Sequence, residues 1–378
     1  VEGKDFFDGD TKLATKNIPA DALDKVQVLK NYDEVGQLRN VRSNEDNIAI
    51  NIKLKEGKKN FWFGEITAGA GPDERYLVHP RLFYYSPKYS INIITDLNNI
   101  GEMPFTRRDY FNFTGGFRGI NRNSGTNFNV ATSDMGFLTM QNNRAKAIDT
   151  KFGAANFSYS PKKTWDISGF AIYSGTRTDM QQNTYREYVQ NEGGAQAPPD
   201  ELTESNTHQK SDLGLFKLSS SYRPNSNNHL DYDIFARTSK QSEYQVFYSS
   251  VLSDIDEVQE QNPFIISQNL NYYYTLNEKN IFALEVQHLW QDEDPFYNAA
   301  LMQSEQFQFS DILGLDTNQN GFSIAQDKRI KTNKIDAKLD YWYVLNQKSN
   351  INFTLGSLFS SQNFNSEIFQ VLDNGSNY

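Results

Sequence analysis

Side chains able to do covalent or metal chemistry are few in this chain and poorly grouped. It has 4 His and 0 Cys, which excludes thiolate nucleophiles, disulfides and thiolate metal sites. His79, His208, His229 and His288 are scattered without metal-ligand spacing, and no Gly-x-Ser-x-Gly elbow is present. Gly69-Ala-Gly71 follows an apolar run but lacks the third glycine and the helix that a dinucleotide site needs. The chain reads as a non-enzyme.

Two segments carry binding chemistry. Asp316-Thr-Asn-Gln-Asn-Gly-Phe-Ser-Ile-Ala-Gln-Asp327 places oxygen ligands at Asp316, Asn318 and Asn320, with a glycine at the sixth position and Asp327 at the twelfth. That is the order of a calcium loop, with a shorter Asp in place of the final Glu. Against calcium stands the simpler reading of an Asx-rich turn; no flanking helices are evident, so a site here is a loop clamp. The stretch 99–146 is basic, with Arg107, Arg108, Arg118, Arg122, Arg144 and Lys146 against Asp109 and Asp134. It suits an anionic ligand, lipopolysaccharide or another part of the same chain. The acidic groups Asp254, Asp256, Glu257, Glu260 and Asp292, Glu293, Asp294 read as solvated faces.

The elements that position these residues are strands. In Phe282-Ala-Leu-Glu-Val-Gln-His-Leu-Trp290, Phe282, Leu284, Val286 and Trp290 alternate with Ala283, Glu285 and Gln287, the period of a strand with one apolar and one polar side. His288 falls on the apolar side near one end, where a structural role is expected. Similar strands are predicted at about 61–71, 75–86, 89–98, 147–160, 164–175, 210–222, 230–241, 263–276, 280–291, 330–345 and 349–360. Turn residues at Ser86-Pro87-Lys88, Pro161-Lys162-Lys163, Arg223–His229, Asn277-Glu278-Lys279 and Asn346-Gln347-Lys348 make alternate connections short. The others except the first, about 99–146, 176–209, 242–262 and 292–329, are long.

Strict alternation of short and long connections is the habit of an outer-membrane barrel. The polar faces agree: Asp231, Asp233 and Arg237, or Asp336, Lys338 and Asp340, recur opposite apolar partners. Such charges are ruinous in a dry core and natural in a wet lumen. Trp165, Tyr173, Trp290, Tyr343 and Phe359 fit interfacial girdles. A mean hydropathy of -0.68 does not oppose this, because alternating strands escape window hydropathy, and no apolar run reaches helix-spanning length. A net charge of -10 argues against nucleic acid as a partner. The fold class expected is all-β: a transmembrane antiparallel β-barrel. Eleven strands is an odd number, so the sequence reads as the first half of a barrel of about twenty-two strands.

Asn17-Ile-Pro-Ala-Asp-Ala-Leu-Asp-Lys-Val-Gln-Val-Leu-Lys30, followed by Asn47-Ile-Ala-Ile-Asn-Ile-Lys-Leu-Lys55, resembles the end of the plug domain of TonB-dependent outer-membrane transporters of the Bacteroidetes type, in which a short helix leads into the first of two strands. Gly3-Lys-Asp-Phe-Phe-Asp-Gly-Asp10 is similar to a segment that precedes them in that branch. Tyr32–Asn40 departs from the glycine-rich stretch usual between the plug strands. The resemblance implies residues 1–60 as the end of a small α/β plug, with its charged surface against a polar lumen, and 61–378 as the first part of the barrel. It also implies ligand import energised by a TonB-type complex, with the bilayer, lipopolysaccharide and a surface lipoprotein as partners in the outer membrane of a Gram-negative bacterium. The rivals are a barrel acting as surface scaffold or secretion component, and a soluble extracellular carbohydrate-binding β protein.

Overall fold

A computed structural model describes residues 1–4, 14–15, 17–30, 48–58, 60, 62–102, 145–187, 200–250, 254–301, 314–346 and 349–378. The N-terminal part is a two-stranded antiparallel sheet of β1 (Leu23–Lys30) and β2 (Ile48–Leu54), entered through a 3-10 turn at Ala20–Ala22. The turn stands where a short helix was expected, and it ends after one turn because Leu23 is already extended, at φ -79° and ψ 131°.

The rest is one all-antiparallel sheet in which sequence neighbours are ladder neighbours: β3 (Trp62–Ala70), β4 (Tyr76–Tyr85), β5 (Tyr89–Asn98), β6 (Ala145–Lys162), β7 (Trp165–Arg186), β8 (Glu201–Asn225), β9 (Asn228–Ser249), β10 (Ile255–Gln261), β11 (Phe264–Asn277), β12 (Asn280–Glu293), β13 (Phe296–Leu301), β14 (Phe322–Asn346) and β15 (Ser349–Val371). This up-and-down order is that of a barrel wall. Two of the thirteen strands are continuations. Thr238↔Phe264 and Gln241↔Gln261 lie in one register on β9, and Glu293↔Ile330 and Phe296↔Asp327 in one register on β14. Thus β10 runs straight into β11, and β12 into β13, leaving eleven strand paths among the described residues.

Proline interrupts both. The carbonyls of Pro263 and Pro295 accept from Ser239 N and Lys328 N, each at 3.1 Å, but proline has no N–H to return the bond. Between the two paths, Asn262 N donates to Asp294 Oδ1 at 2.7 Å, so a side chain substitutes for the missing ladder.

Short connections are tight. Ser86 N donates to the Tyr89 carbonyl at 2.9 Å, and the Asn225 and Asn277 side-chain oxygens each accept the backbone N–H two residues on, both at 3.0 Å. These Asx turns explain why Asn begins both reversals. At the opposite end the strands are far longer than expected. The segments 176–209, 242–262 and 292–329, read as loops, hold the ends of β7 and β8, of β9 and β10, and of β12, β13 and β14. Polar residues stand on both faces there, so no clean apolar alternation marks them.

Side-chain parity is kept along these ladders. Buried Phe170, Ile172, Leu213, Leu215, Phe235 and Ile265 share the inward face, and Phe216, Leu284, Leu339 and Leu355 are exposed outward. At the short-turn end the outward face carries aromatic rows: Tyr274, Phe282, Tyr341 and Phe353 stack across four strands with centroids 6.4, 4.9 and 6.2 Å apart, and Trp165 meets Tyr222 at 6.3 Å. A second aromatic level holds Tyr173 and the Phe264–Trp290 pair at 5.7 Å. Phe359 pairs with Ile335 below that level, inside the apolar band rather than at its rim. Beyond it the outward face turns polar.

Close backbone packing dictates glycine at Gly64, where an added Cβ would lie 1.9 Å from the Arg81 carbonyl oxygen. Asn60, at φ 62°, takes the left-handed conformation where the chain turns into β3, and its N–H donates to the Tyr85 carbonyl at 2.7 Å.

Candidate functional site

The inward wall carries an apolar seat, buried charges and, beyond the prolines, a polar belt. Nearest the short turns, the N-terminal sheet rests on this wall. Val1, Ile18, Ala22, Ile52 and Leu54 form one buried cluster with Phe63, Phe83, Tyr85, Phe152, Phe170 and Leu213 of the wall. A charged plug surface against a polar lumen was expected, and the contact is instead apolar. Magnitudes favour that solution. Burying Ile52 and Leu54 is worth about 1.5–3 kcal/mol each, whereas the half-exposed pairs Lys53–Glu2 at 3.5 Å and Lys58–Asp21 at 3.1 Å add about 0–1 kcal/mol each. The pairs set direction: Leu54 N donates to Glu2 Oε1 at 2.5 Å and Lys55 Nζ to the Asp21 carbonyl at 2.8 Å. The hydrogen bond from Lys58 holds the Asp21 carboxyl below the usual carboxylate range. Burial pulls the Lys4 ammonium down, with Asp166 partly opposing it.

Charged groups stand beside this seat and further along the same wall. Lys338 Nζ lies 2.8 Å from the buried Asp340, which also accepts from Thr354 Oγ1 at 2.5 Å, and buried Asp96 lies 3.3 Å from His79. Ser221, His229 and Asp231 assemble at 3.2 and 2.8 Å. Both contacts fall on His229 Nε2, so the imidazole cannot take a proton from the serine on one nitrogen while the carboxylate orients the other.

The polar belt, beyond the prolines, is rich in glutamine. One inward row runs Gln209, Glu243, Gln259, Tyr297 and Gln326 across β8, β9, β10, β13 and β14. Gln209 donates to Glu243, Gln261 to Gln241 at 2.5 Å, and Gln245 to Ser205 at 2.8 Å. Amides offer donors and acceptors without fixed charge, so apart from Glu243 this belt has the chemistry to hydrogen-bond neutral polar groups. Sequence reading passed over it because it lay in stretches read as loops; the alternate glutamines of Gln241, Gln245, Gln259 and Gln261 were the available signal.

Of the binding residues expected from sequence, Arg107, Arg108, Arg118 and Arg122 lie outside the described residues. Asp316, Asn318, Asn320 and Asp327 are not gathered. Asp316 accepts from Asn318 N and Nδ2, each at 3.0 Å, and from Gln319 Nε2 at 2.9 Å. The first of these keeps its carboxyl below the usual range. Asn320 donates to Asp373 at 2.7 Å. Asp316 N meets Gln370, level with Ile324, whereas Asp327 sits three ladder steps further along β14, about 10 Å at ~3.3 Å per residue. Among the described residues no group of three or more His, Asp or Glu is placed to hold a metal ion. His208 pairs with Asp179 at 2.7 Å on the outward face. His288 is outward, as its parity required, in a chain of bonds crossing four strands. Tyr232 O–H donates to Gln268 Oε1 at 2.7 Å, Gln268 Nε2 to His288 Nδ1 at 3.1 Å, and His288 Nε2 to Asn333 Oδ1 at 3.0 Å.

No family model matches the chain, and no curated protein matches it. Among solved structures, the ferric yersiniabactin uptake receptor FyuA from Yersinia pestis aligns at 11% identity over 85% of this chain and 46% of its own, with a TM-score of 0.21. The CymD monoaromatic hydrocarbon channel aligns at 7% over 80% and 84%, TM-score 0.23. The FrpB iron transporter from Neisseria meningitidis aligns at 9% over 91% and 68%, TM-score 0.18. The chain thus spans about half the length of the FyuA receptor. At these scores the alignments add nothing to what the strands and their faces support.

Proposed function

We propose that the chain is part of an outer-membrane, TonB-dependent receptor: the end of a plug in residues 1–60 and a stretch of barrel wall in 61–378, importing a ligand through the lumen. One observation carries it. Apart from the Tyr232–Gln268–His288–Asn333 row, the outward face is mostly apolar between two aromatic levels, while the face behind it holds Asp340, Lys338, Asp231 and Asp96. From Phe282 to Trp290 the strand advances about 26 Å at ~3.3 Å per residue, or about 20 Å for a tilt near 40°, which with the rings at each rim matches the ~25 Å apolar band of such barrels. A water-soluble sheet has no reason to turn that band toward solvent. The apolar seating of the N-terminal sheet supports a plug that stays lodged until pulled. Arg107, Arg108, Arg118 and Arg122 are the proposed ligand-facing cations of the 99–146 segment, and the glutamine belt is the wall that the ligand passes.

The test is extraction of the native protein. It should stay in urea-washed outer membranes, dissolve in detergent, and migrate differently before and after boiling. Release into buffer without detergent would sink the proposal.

A further inference from the structure

Resting on the outer-membrane reading, the geometry points to a second binding surface: the outward face of the wall beyond the apolar band docks the saccharide headgroups of the surrounding outer-leaflet lipids. That face is continuous with the lipid-facing band on the same strands, so its neighbours are the headgroups of the same lipids. Its side chains suit sugars. Tyr185, Tyr244 and Tyr248 stand outward with 63%, 40% and 47% of their surface exposed. Tyr185 donates its hydroxyl to Asp200 at 2.7 Å and Tyr244 to Asp256 at 3.1 Å, and nearer the band Tyr173 donates to Asp212 at 2.6 Å and Tyr76 to Asp149 at 2.7 Å.

Rings tethered by their hydroxyls are pre-ordered and lose little entropy when a flat partner stacks on them. The carboxylates of Asp149, Asp212 and Asp256 each have more acceptor positions than one tyrosine hydroxyl fills. Between the rings, Gln181 and Asn206 share Glu204 at 3.0 and 3.3 Å, adding amide donors. Arg177, Lys210 and Lys240 are interspersed with, and outnumbered by, Asp149, Asp179, Asp200, Glu204, Asp212 and Asp256 on the same face, so the field does not select a phosphate. Exposed aromatic faces, fixed carboxylates and amides in a mixed field are the chemistry of a neutral polyhydroxylated ligand.

The protein is placed in lipid nanodiscs containing either lipopolysaccharide with its core sugars or lipid A alone, and treated with tetranitromethane. Nitration of each tyrosine is followed by peptide mass spectrometry. Tyr185, Tyr244 and Tyr248 should react about fivefold more slowly in the sugar-bearing discs, the protection of a surface roughly four-fifths occupied. Tyr84 and Tyr89, at the short-turn end, should react equally in both. Tyr185→Ala with Tyr244→Ala should lower sugar-dependent retention of lipopolysaccharide through detergent washing while leaving lipid A retention unchanged. Equal nitration rates in the two discs overturn the saccharide surface and leave the membrane reading intact; failure to enter discs at all overturns both. Protection that appears only on adding an outer-membrane protein fraction assigns the face to a protein partner and likewise overturns it.

Discussion

Replacing His288 by leucine discriminates sharply between a lipid-facing and a water-facing wall. The imidazole is the middle link of the Tyr232–Gln268–His288–Asn333 chain. Leucine leaves the Gln268 amide N–H and the Asn333 carbonyl oxygen without their partner. In water both groups are rehydrated, and the loss is that of two ordinary hydrogen bonds, about 0.5–1.5 kcal/mol each, partly regained by the apolar side chain. In hydrocarbon each orphaned group carries its own desolvation cost of about 1–3 kcal/mol, so His288→Leu should destabilise by about 2–6 kcal/mol. The triple change of Gln268, His288 and Asn333 to leucine removes the orphans together, leaves only the Tyr232 hydroxyl to find another acceptor, and should recover most of the loss. The assay is urea unfolding in vesicles, read by tryptophan fluorescence, with wild type, single and triple variants compared at equal lipid content. A single variant within about 0.5 kcal/mol of wild type, the range of an ordinary surface change, or a triple variant worse than the single, refutes the lipid-facing assignment of this row.

Further outcomes follow from the same geometry. Gly64→Ala drives a Cβ to 1.9 Å from the Arg81 carbonyl and should cost at least about 2 kcal/mol through strand displacement, seen as a lowered unfolding midpoint. Leu54→Ala, in the buried seat of the N-terminal sheet, should cost about 2–5 kcal/mol and speed proteolysis of residues 1–60, whereas Lys53→Ala should change either by less than about 1 kcal/mol. Asp294→Ala removes the substitute link to Asn262 and should accelerate amide exchange at Asn262 and in β10 more than in the upper part of β8. The Asp21 carboxyl is held low by Lys58, so its contribution is complete above the ordinary aspartate range and disappears as pH falls through the depressed value. Proteolysis at the β1 entry should therefore rise only in strong acid, and Asp21→Asn should abolish that step.

The strand paths were legible because outward apolar and inward polar residues alternate, as in Leu230–Arg237 and Ile335–Tyr343, and because Asn and Pro mark the reversals. Their far ends were not. Where both faces meet water, as in Thr203–Lys210 or Gln241–Tyr248, nothing in the alternation separates a strand from a loop, and only ladder pairing with a neighbour makes the extension favourable. Facing was legible for His288 from parity alone, but its partners Gln268 and Asn333 come from other strands and depend on register. The apolar seat of the N-terminal sheet left a fainter trace. Phe170-Ala-Ile-Tyr173 and Leu213-Gly-Leu-Phe216 are apolar on both faces, the pattern of a strand covered on each side. The calcium-like spacing of Asp316–Asp327 does not gather its residues, for a local reason: the last member lies in β14 while the first is used by its own turn.

The paired prolines bear on how such a wall is made. Without them, Ile255–Asn277 and Asn280–Leu301 would each be an unbroken extended segment of more than twenty residues, and unassembled strands of that length, with Phe264-Ile-Ile and Phe296-Tyr inside them, are templates for intermolecular stacking. Pro263 and Pro295 stand immediately before those two apolar stretches. A proline at each removes one backbone donor from any cross-chain pairing, at the cost of one ladder bond that Asn262 and Asp294 restore only in the finished sheet. The interruption therefore protects the chain while it is still unpaired and is bridged once its correct neighbour arrives.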